Sequence, residues 1–271
     1  MKIKLSSLIH IFLVSAVIGM GISYSKLYLF HVVLLILLFL YLYKNNLSIK
    51  LKKLPTNYHY MFYFMFIWYF LSLIWSINIK YTLEYLFYIF CGISIVITIV
   101  YYVDNIKIQN KVFNILAIIF IVEIIISLLE AFTSFRLPIS PFSKYVVYFG
   151  REMKIDENLP DEVINVILQS PTGFQWNPNN LAVTFLIISP FFLLYSNKFI
   201  KFFGIISIIV LIIMSGSRGV FIAFIFMLFL YVVALNKKRF ILYTPVISLL
   251  FVIFLTNLET FKNSENQKIR E

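Results

Sequence analysis

The 271-residue chain reads as an all-α, polytopic membrane protein with about nine transmembrane helices and a cytoplasmic N-terminus. Three observations predict this. First, 61% of the residues are hydrophobic and 13% are charged, against about 25% charged in a soluble domain. Second, the apolar residues come in runs close to the roughly 20 residues that one helix needs to cross a ~30 Å lipid core. Third, the runs are apolar all round and lack the two-residue alternation of a barrel strand.

The runs fall at about 8–24, 27–43, 58–77, 82–103, 112–132, 178–196, 199–216, 219–235 and 240–257, in one membrane domain covering 1–271. Lys2 and Lys4 before the first run have the look of a secretory signal. No A-x-A-like cleavage site follows, so the first run is an uncleaved helix. Positive charge in short loops sets the orientation. Alternate loops carry Lys2, Lys4, Lys44, Lys50, Lys52, Lys53, Lys107, Lys111, Lys198, Lys201, Lys237, Lys238 and Arg239, 13 of the 23 basic residues, with Asp104 as their one acid. These loops are cytoplasmic by that rule, and the formal charge of +11 follows mainly from topology. Nucleic-acid binding is disfavoured, because the basic residues are scattered over short loops with no soluble domain behind them.

Residues 133–177 form the sizeable outward segment. Arg136, Lys144, Arg151 and Lys154 mix there with Glu152, Asp156, Glu157, Asp161 and Glu162. The apolar period at Val163–Leu168 predicts a short amphipathic helix around 160–169, lying on the bilayer and ended by Pro171.

Little conventional chemistry is visible. Cys91 is the one cysteine and lies inside the fourth span, which excludes a disulfide framework and a cysteine metal cluster. His10, His31 and His59 share no metal-ligand spacing and read as interfacial or packing residues. No glycine-rich phosphate loop and no G-x-S-x-G is present, so soluble-nucleotide chemistry is disfavoured.

Two polar motifs stand at ends of apolar runs. The first, Gly173-Phe-Gln-Trp-Asn-Pro-Asn-Asn-Leu-Ala182, puts asparagine and proline where the sixth span begins, as a helix cap requires. Capping accounts for one asparagine and Pro178. Gln175, Trp176 and the other asparagines among Asn177, Asn179 and Asn180 are left either as anchors or as lining of a sugar or phosphate pocket. The second, Ser215-Gly-Ser-Arg-Gly219, begins 33 residues after Ala182 and joins two spans with almost no loop. Arg218 either reaches to lipid headgroups or, beside the small residues Ser215 and Ser217 whose N–H groups can converge on an anion, binds phosphate with its planar fork. Glu123 and Glu130 are seven apart on one face of the fifth span, where intramembrane carboxylates face a bundle interior. Pairing with the arginines is the favoured reading and a proton relay the alternative. Trp75–Asn78 and Glu84 mark the outer turn between spans three and four.

The paired motifs resemble the core of the O-antigen ligase and Wzy-type polysaccharide polymerase superfamily, over residues 170–235, and Leu73-Ile-Trp-Ser76 is similar to a weaker upstream pattern of that family. The resemblance implies a bacterial glycosyltransferase on the outer side of the cytoplasmic membrane. Its substrate would be an oligosaccharide carried on undecaprenyl diphosphate, moved to another glycan or a lipid core in O-antigen, capsule or exopolysaccharide synthesis. It further implies that no metal or cofactor is used, and it implies membrane lipid and other polysaccharide-assembly proteins as partners. By position in the motif, Arg218 would hold the carrier diphosphate, with Arg151 as a second basic contact. Many relatives have an arginine just ahead of the glycine, where this chain has Ser170-Pro171-Thr172. The family's catalytic base is a histidine in a later outward loop, and all three histidines here lie in the first 59 residues. The expectation is therefore the carrier-binding half of such an enzyme without its general base, from a truncated or split reading frame. The rival readings are a transporter or flippase component, which predicts repeats or paired broken helices, and a non-catalytic subunit that binds a lipid-linked glycan.

Overall fold

The computed structural model describes residues 5–44, 56–103, 105–155 and 160–235. Among them the protein is mostly helical, with nine α-helices and one two-stranded hairpin. Eight of these helices overlap the first eight apolar runs, and the remaining one is the short helix α6, Asp161–Gln169, at the predicted amphipathic segment. The predicted span 240–257, the basic loop residues Lys2, Lys4, Lys50, Lys52, Lys53, Lys237, Lys238 and Arg239, and Asp104, Asp156 and Glu157 lie outside the described residues. Two helices, α4 (Ile79–Tyr102) and α5 (Ile106–Phe132), are long and apolar enough to cross a membrane. At 1.5 Å per residue, α4 with its 24 residues is about 36 Å long, more than a ~30 Å lipid core. The chain divides inside α5 into two compact units, 1–122 and 123–271.

The first unit contains α1 (Leu5–Ile18), α2 (Leu29–Lys44), α3 (Thr56–Leu71), α4 and the first part of α5. Its core is the cluster of Phe12, Leu13, Phe30, Val33, Leu34, Cys91 and Val112, with the rings of Phe12 and Phe30 stacked 5.2 Å apart. Two cross-links show that α1 runs antiparallel to α4. His10 Nε2 and the Tyr102 hydroxyl are 2.8 Å apart at one end, and Lys26 Nζ is 2.7 Å from Glu84 Oε1 at the other. His31 Nδ1 accepts from the Tyr28 N–H at 3.3 Å, so both described histidine side chains are engaged in packing. Asn78 starts α4 by accepting from the Tyr81 N–H, and Ser76 bonds Thr82 at 2.6 Å; this polar turn is a helix start.

One element departs from the all-α expectation. After α1 the chain makes a strand pair, β1 (Ser23–Tyr24) and β2 (Leu27–Tyr28), with Ser25 at φ 50° in the tight turn. The apolar run at 8–24 predicts a first helix that continues through residue 24. Gly19 and Gly21 loosen that end into a 3-10 turn instead, and the left-handed Ser25 reverses the chain.

The second unit holds the end of α5, α6, α7 (Pro178–Leu194), α8 (Lys198–Met214) and α9 (Arg218–Leu235). Helix α7 continues through Pro190, which cannot donate to the Leu186 carbonyl; Ser189 Oγ donates to that carbonyl at 2.7 Å instead. Asn197 then starts α8 by accepting from the N–H groups of Phe199 and Ile200. The α7 and α8 helices pack closely where Gly204 faces Phe192, since a Cβ on Gly204 would stand 2.2 Å from Phe192 Cδ1 and 2.5 Å from its Cγ. That ring is fully buried and cannot step aside. Gly204→Leu is therefore expected to destabilise the unit by roughly 1–3 kcal/mol from overpacking, more than the ~1 kcal/mol that leaving glycine returns in helix propensity. A lower midpoint of thermal unfolding in detergent checks this; an unchanged midpoint would contradict the close crossing.

The same contact fixes how the helix ends align. Phe192 and Gly204 are level on antiparallel helices, and counting eleven residues outward on each brings Leu181 level with Ser215. Helix α9 runs back parallel to α7, with the Tyr231 hydroxyl donating to the Leu193 carbonyl at 3.3 Å. Counting thirteen residues back on each puts Arg218 level with Asn180, to within about one turn at 1.5 Å rise per residue. The two polar motifs, distant in sequence, thus lie at one end of the α7–α9 bundle.

Candidate functional site

The site is built on one face of α5. Glu123, Ser127 and Glu130 recur at four- and three-residue spacing, which aligns them on a helix, and all three are essentially fully buried. The opposite face, with Ile118, Ile125 and Leu129, is exposed, as an apolar helix in contact with lipid would be.

Against the polar face lies the segment Pro171–Phe174, buried throughout. Three consecutive backbone N–H groups point from it into the two carboxylates. Glu130 Oε2 accepts from the N–H groups of Thr172 and Gly173, each at 2.7 Å, and from the Thr172 hydroxyl at 3.0 Å. Glu123 accepts from the Phe174 N–H at 3.1 and 3.2 Å. Gly173 has φ +52°, which turns successive N–H groups to one side, and the Gln175 N–H closes the turn on the Thr172 carbonyl at 2.8 Å. A Cβ at Gly173 would stand 2.6 Å from Ser127 Oγ and 2.7 Å from Glu123 Oε1.

Arg136 completes this network. Its Nη1 donates to Glu130 Oε2 at 3.3 Å and to the Ser170 carbonyl at 3.1 Å, and its side chain is 8% exposed. Burial lowers the guanidinium pKa and the neighbouring Glu130 raises it. Ser140 Oγ bonds the Thr172 hydroxyl at 3.0 Å, and Arg136 lies 5.7 Å from the Phe142 ring centre. Arg136 Nη2 and Ser127 Oγ are buried without a hydrogen-bond partner. The expected pairing of carboxylates with arginines therefore takes a specific form. Glu130 pairs with Arg136, whereas Glu123 is held by a backbone donor.

Beyond the turn, Trp176 is flanked by cations, with Arg151 Cζ 4.7 Å and Lys154 Nζ 5.2 Å from its ring centre. The Lys154 N–H donates to the Pro141 carbonyl at 2.8 Å, tying residues 141 and 154 of the segment between α5 and α6 together. Asn177 is the cap of α7, its Oδ1 accepting from the Asn180 N–H at 2.8 Å, and Pro178 takes the first helical position. Asn179 and Asn180 are exposed, while Gln175 and Trp176 are half-buried.

At the same end, Ser215 closes α8. Its hydroxyl donates to the Ile212 carbonyl at 2.7 Å and accepts from the Ser217 N–H at 3.3 Å. Gly216 turns the chain at φ +67°, and α9 begins at Arg218, whose side chain is exposed. The Ser215 hydroxyl is thus spent on its own backbone, leaving the guanidinium of Arg218 as the charged group of this turn.

No protein-family profile, curated protein or solved structure matches the chain.

The bundle brings Arg218 level with Asn180, and the chain brings Arg151 to Trp176. The sequence places Lys154 and Arg136 only among the mixed charges of residues 133–177, with no site role. The signal for Arg136 was available: it follows Glu130 by six residues, just past the end of an otherwise apolar helix. The resemblance led to an arginine being sought just ahead of Gly173. A guanidinium does reach that segment, on the Ser170 carbonyl, but it comes from Arg136.

Proposed function

We propose that the chain is a membrane-embedded binder of a polyprenyl-diphosphate-linked glycan, serving polymerisation or ligation of that glycan at the outer face of a bacterial cytoplasmic membrane. The observation that carries the reading is the convergence of the two motifs at one bundle end, with Arg218 within about one turn of the level of Asn180 and Trp176 flanked by Arg151 and Lys154. A diphosphate carries negative charge that these cations can meet, and Arg218 can donate two parallel hydrogen bonds to its oxygens. Exposed amides of Asn179 and Asn180 at the same level offer donors and acceptors to sugar hydroxyls.

In this reading all nine runs span the membrane, the N-terminus is cytoplasmic and the site faces outward. In polymer transfer, the bound cations would stabilise charge on the departing carrier diphosphate, an effect that depends on donors held in place beforehand. The general base is not assigned to any of the three histidines. His10 and His31 are engaged within the first unit.

Binding of undecaprenyl diphosphate to the purified protein in detergent tests the reading. Arg218→Ala is expected to weaken it at least about tenfold, equivalent to ~1.4 kcal/mol, and to leave binding of uncharged undecaprenol unchanged. Equal affinity of wild type and variant for the diphosphate would make Arg218 a boundary residue reaching to headgroups and would sink the proposal. In producing cells, loss of polymer with Arg218→Ala marks an enzyme. Normal polymer length with impaired assembly marks a non-catalytic subunit.

A further inference from the structure

The outward turn at Thr172–Phe174 has the form of an anion-binding nest, three successive N–H groups gathered on one side by a left-handed glycine. It is filled by the protein's own carboxylates. Buried backbone donors in a loop have no ladder to join and must find acceptors elsewhere. Here Glu130 takes two of them and Glu123 the third, while the face of α5 that carries both is fixed by its own helix. Among the described residues, Glu123 makes no ion pair, so charge neutralisation does not account for its place. Only Gln175 and Trp176 separate Phe174 from the cap Asn177, so the register of the clamp sets the entry of α7.

We propose that Glu130 and Glu123 are positioning residues: as hydrogen-bond acceptors they hold the backbone of Thr172–Phe174, and through it fix where Trp176, Asn177 and Asn180 stand relative to Arg218. The last step rests on the carrier-binding reading; the clamp does not. The essential property is acceptor capacity, with ionisation secondary. That distinguishes a clamp from a salt bridge and from a proton relay, both of which need the charge.

The test compares two double variants of equal charge. Glu130→Leu with Arg136→Leu removes both the pair and the acceptor, whereas Glu130→Gln with Arg136→Leu removes the pair and keeps a carbonyl oxygen. In a Trp68→Phe, Trp75→Phe background, Trp176 is the remaining tryptophan. Its acrylamide quenching constant is expected to at least roughly double in the leucine variant, which leaves the loop N–H groups without an acceptor, and to stay at the parent value in the glutamine variant. Equal constants in the two variants would overturn the clamp. Glu123→Leu against Glu123→Gln gives the same comparison at a site without an ion pair, should the first leucine variant fail to fold.

Affinity for undecaprenyl diphosphate is then read on the same four proteins. A fall confined to the leucine variants completes the proposal. Altered quenching with unaltered affinity would overturn the positioning step. If the parent protein itself does not bind the diphosphate, the functional reading fails, and the quenching comparison still decides the clamp.

Discussion

Glu130→Ala is expected to destabilise the second unit by about 3–5 kcal/mol, the usual consequence of removing one partner of a buried ion pair. The loss has two sources. Arg136 keeps its charge in a place where its side chain is 8% exposed, with the Ser170 carbonyl as its remaining Nη1 partner. The N–H groups of Thr172 and Gly173 lose the acceptor that they share at 2.7 Å, and each unsatisfied buried group costs about 1–3 kcal/mol. These contributions overlap, because the turn can relax toward water once the carboxylate is gone. A midpoint of thermal unfolding in detergent close to that of the wild type would show that the network contributes little. Additional loss of Arg136, as in Glu130→Ala with Arg136→Leu, should recover the part due to the stranded charge and leave the part due to the backbone.

Gly173→Ala should have an effect of similar size by a different route. At φ +52° a residue with a Cβ bears roughly 1–2 kcal/mol of backbone strain. The new methyl would also meet Ser127 Oγ at 2.6 Å, Glu123 Oε1 at 2.7 Å and Leu181 Cδ1 at 3.1 Å, all in a buried layer, and overpacking adds about 1–3 kcal/mol. Because Ser127 and Glu123 lie on one rigid helix, moving them aside breaks the bond to Phe174. The expected result is a large fall in unfolding midpoint together with increased quenching of Trp176. Gly216→Ala is the control, since Gly216 has a similar φ of +67° with nothing within 4 Å of its Cβ position. It should show the backbone cost alone. Equal effects at the two glycines would mean that the contacts around Gly173 are unimportant.

What could be read from the sequence follows the range of each interaction. Asn177 as cap, Pro178 at the first helical position and the end of α6 just before Pro171 are local matters, and the structure has all three where the pattern puts them. The shared face of Glu123 and Glu130 also follows from helical spacing alone. Their partners do not. Apart from Arg136 and its neighbour Leu137, the backbone donors to Glu130 and Glu123 are the N–H groups of Thr172, Gly173 and Phe174, more than forty residues away, and a backbone group has no signature in sequence. The strand pair at Ser23–Tyr28 was hidden for another reason: its turn, Ser25-Lys26, lacks the asparagine or glycine that usually marks a left-handed corner. The cations around Trp176 arrive from the long segment between α5 and α7, whose path no periodicity encodes.

The level placement of Arg218 and Asn180 makes the bundle a gauge whose setting is the number of residues between the motifs. Helices α7 and α8 have 17 residues each and a link of three, Tyr195–Asn197. Deleting one residue from α8 would shift Arg218 by about 1.5 Å along the axis and turn it by roughly 100° away from its present heading. Exchanging one leucine for an isoleucine would do neither. Length in this interval is therefore constrained far more tightly than composition, and a gene under selection for this site would accumulate substitutions between residues 182 and 215 while resisting insertions and deletions there.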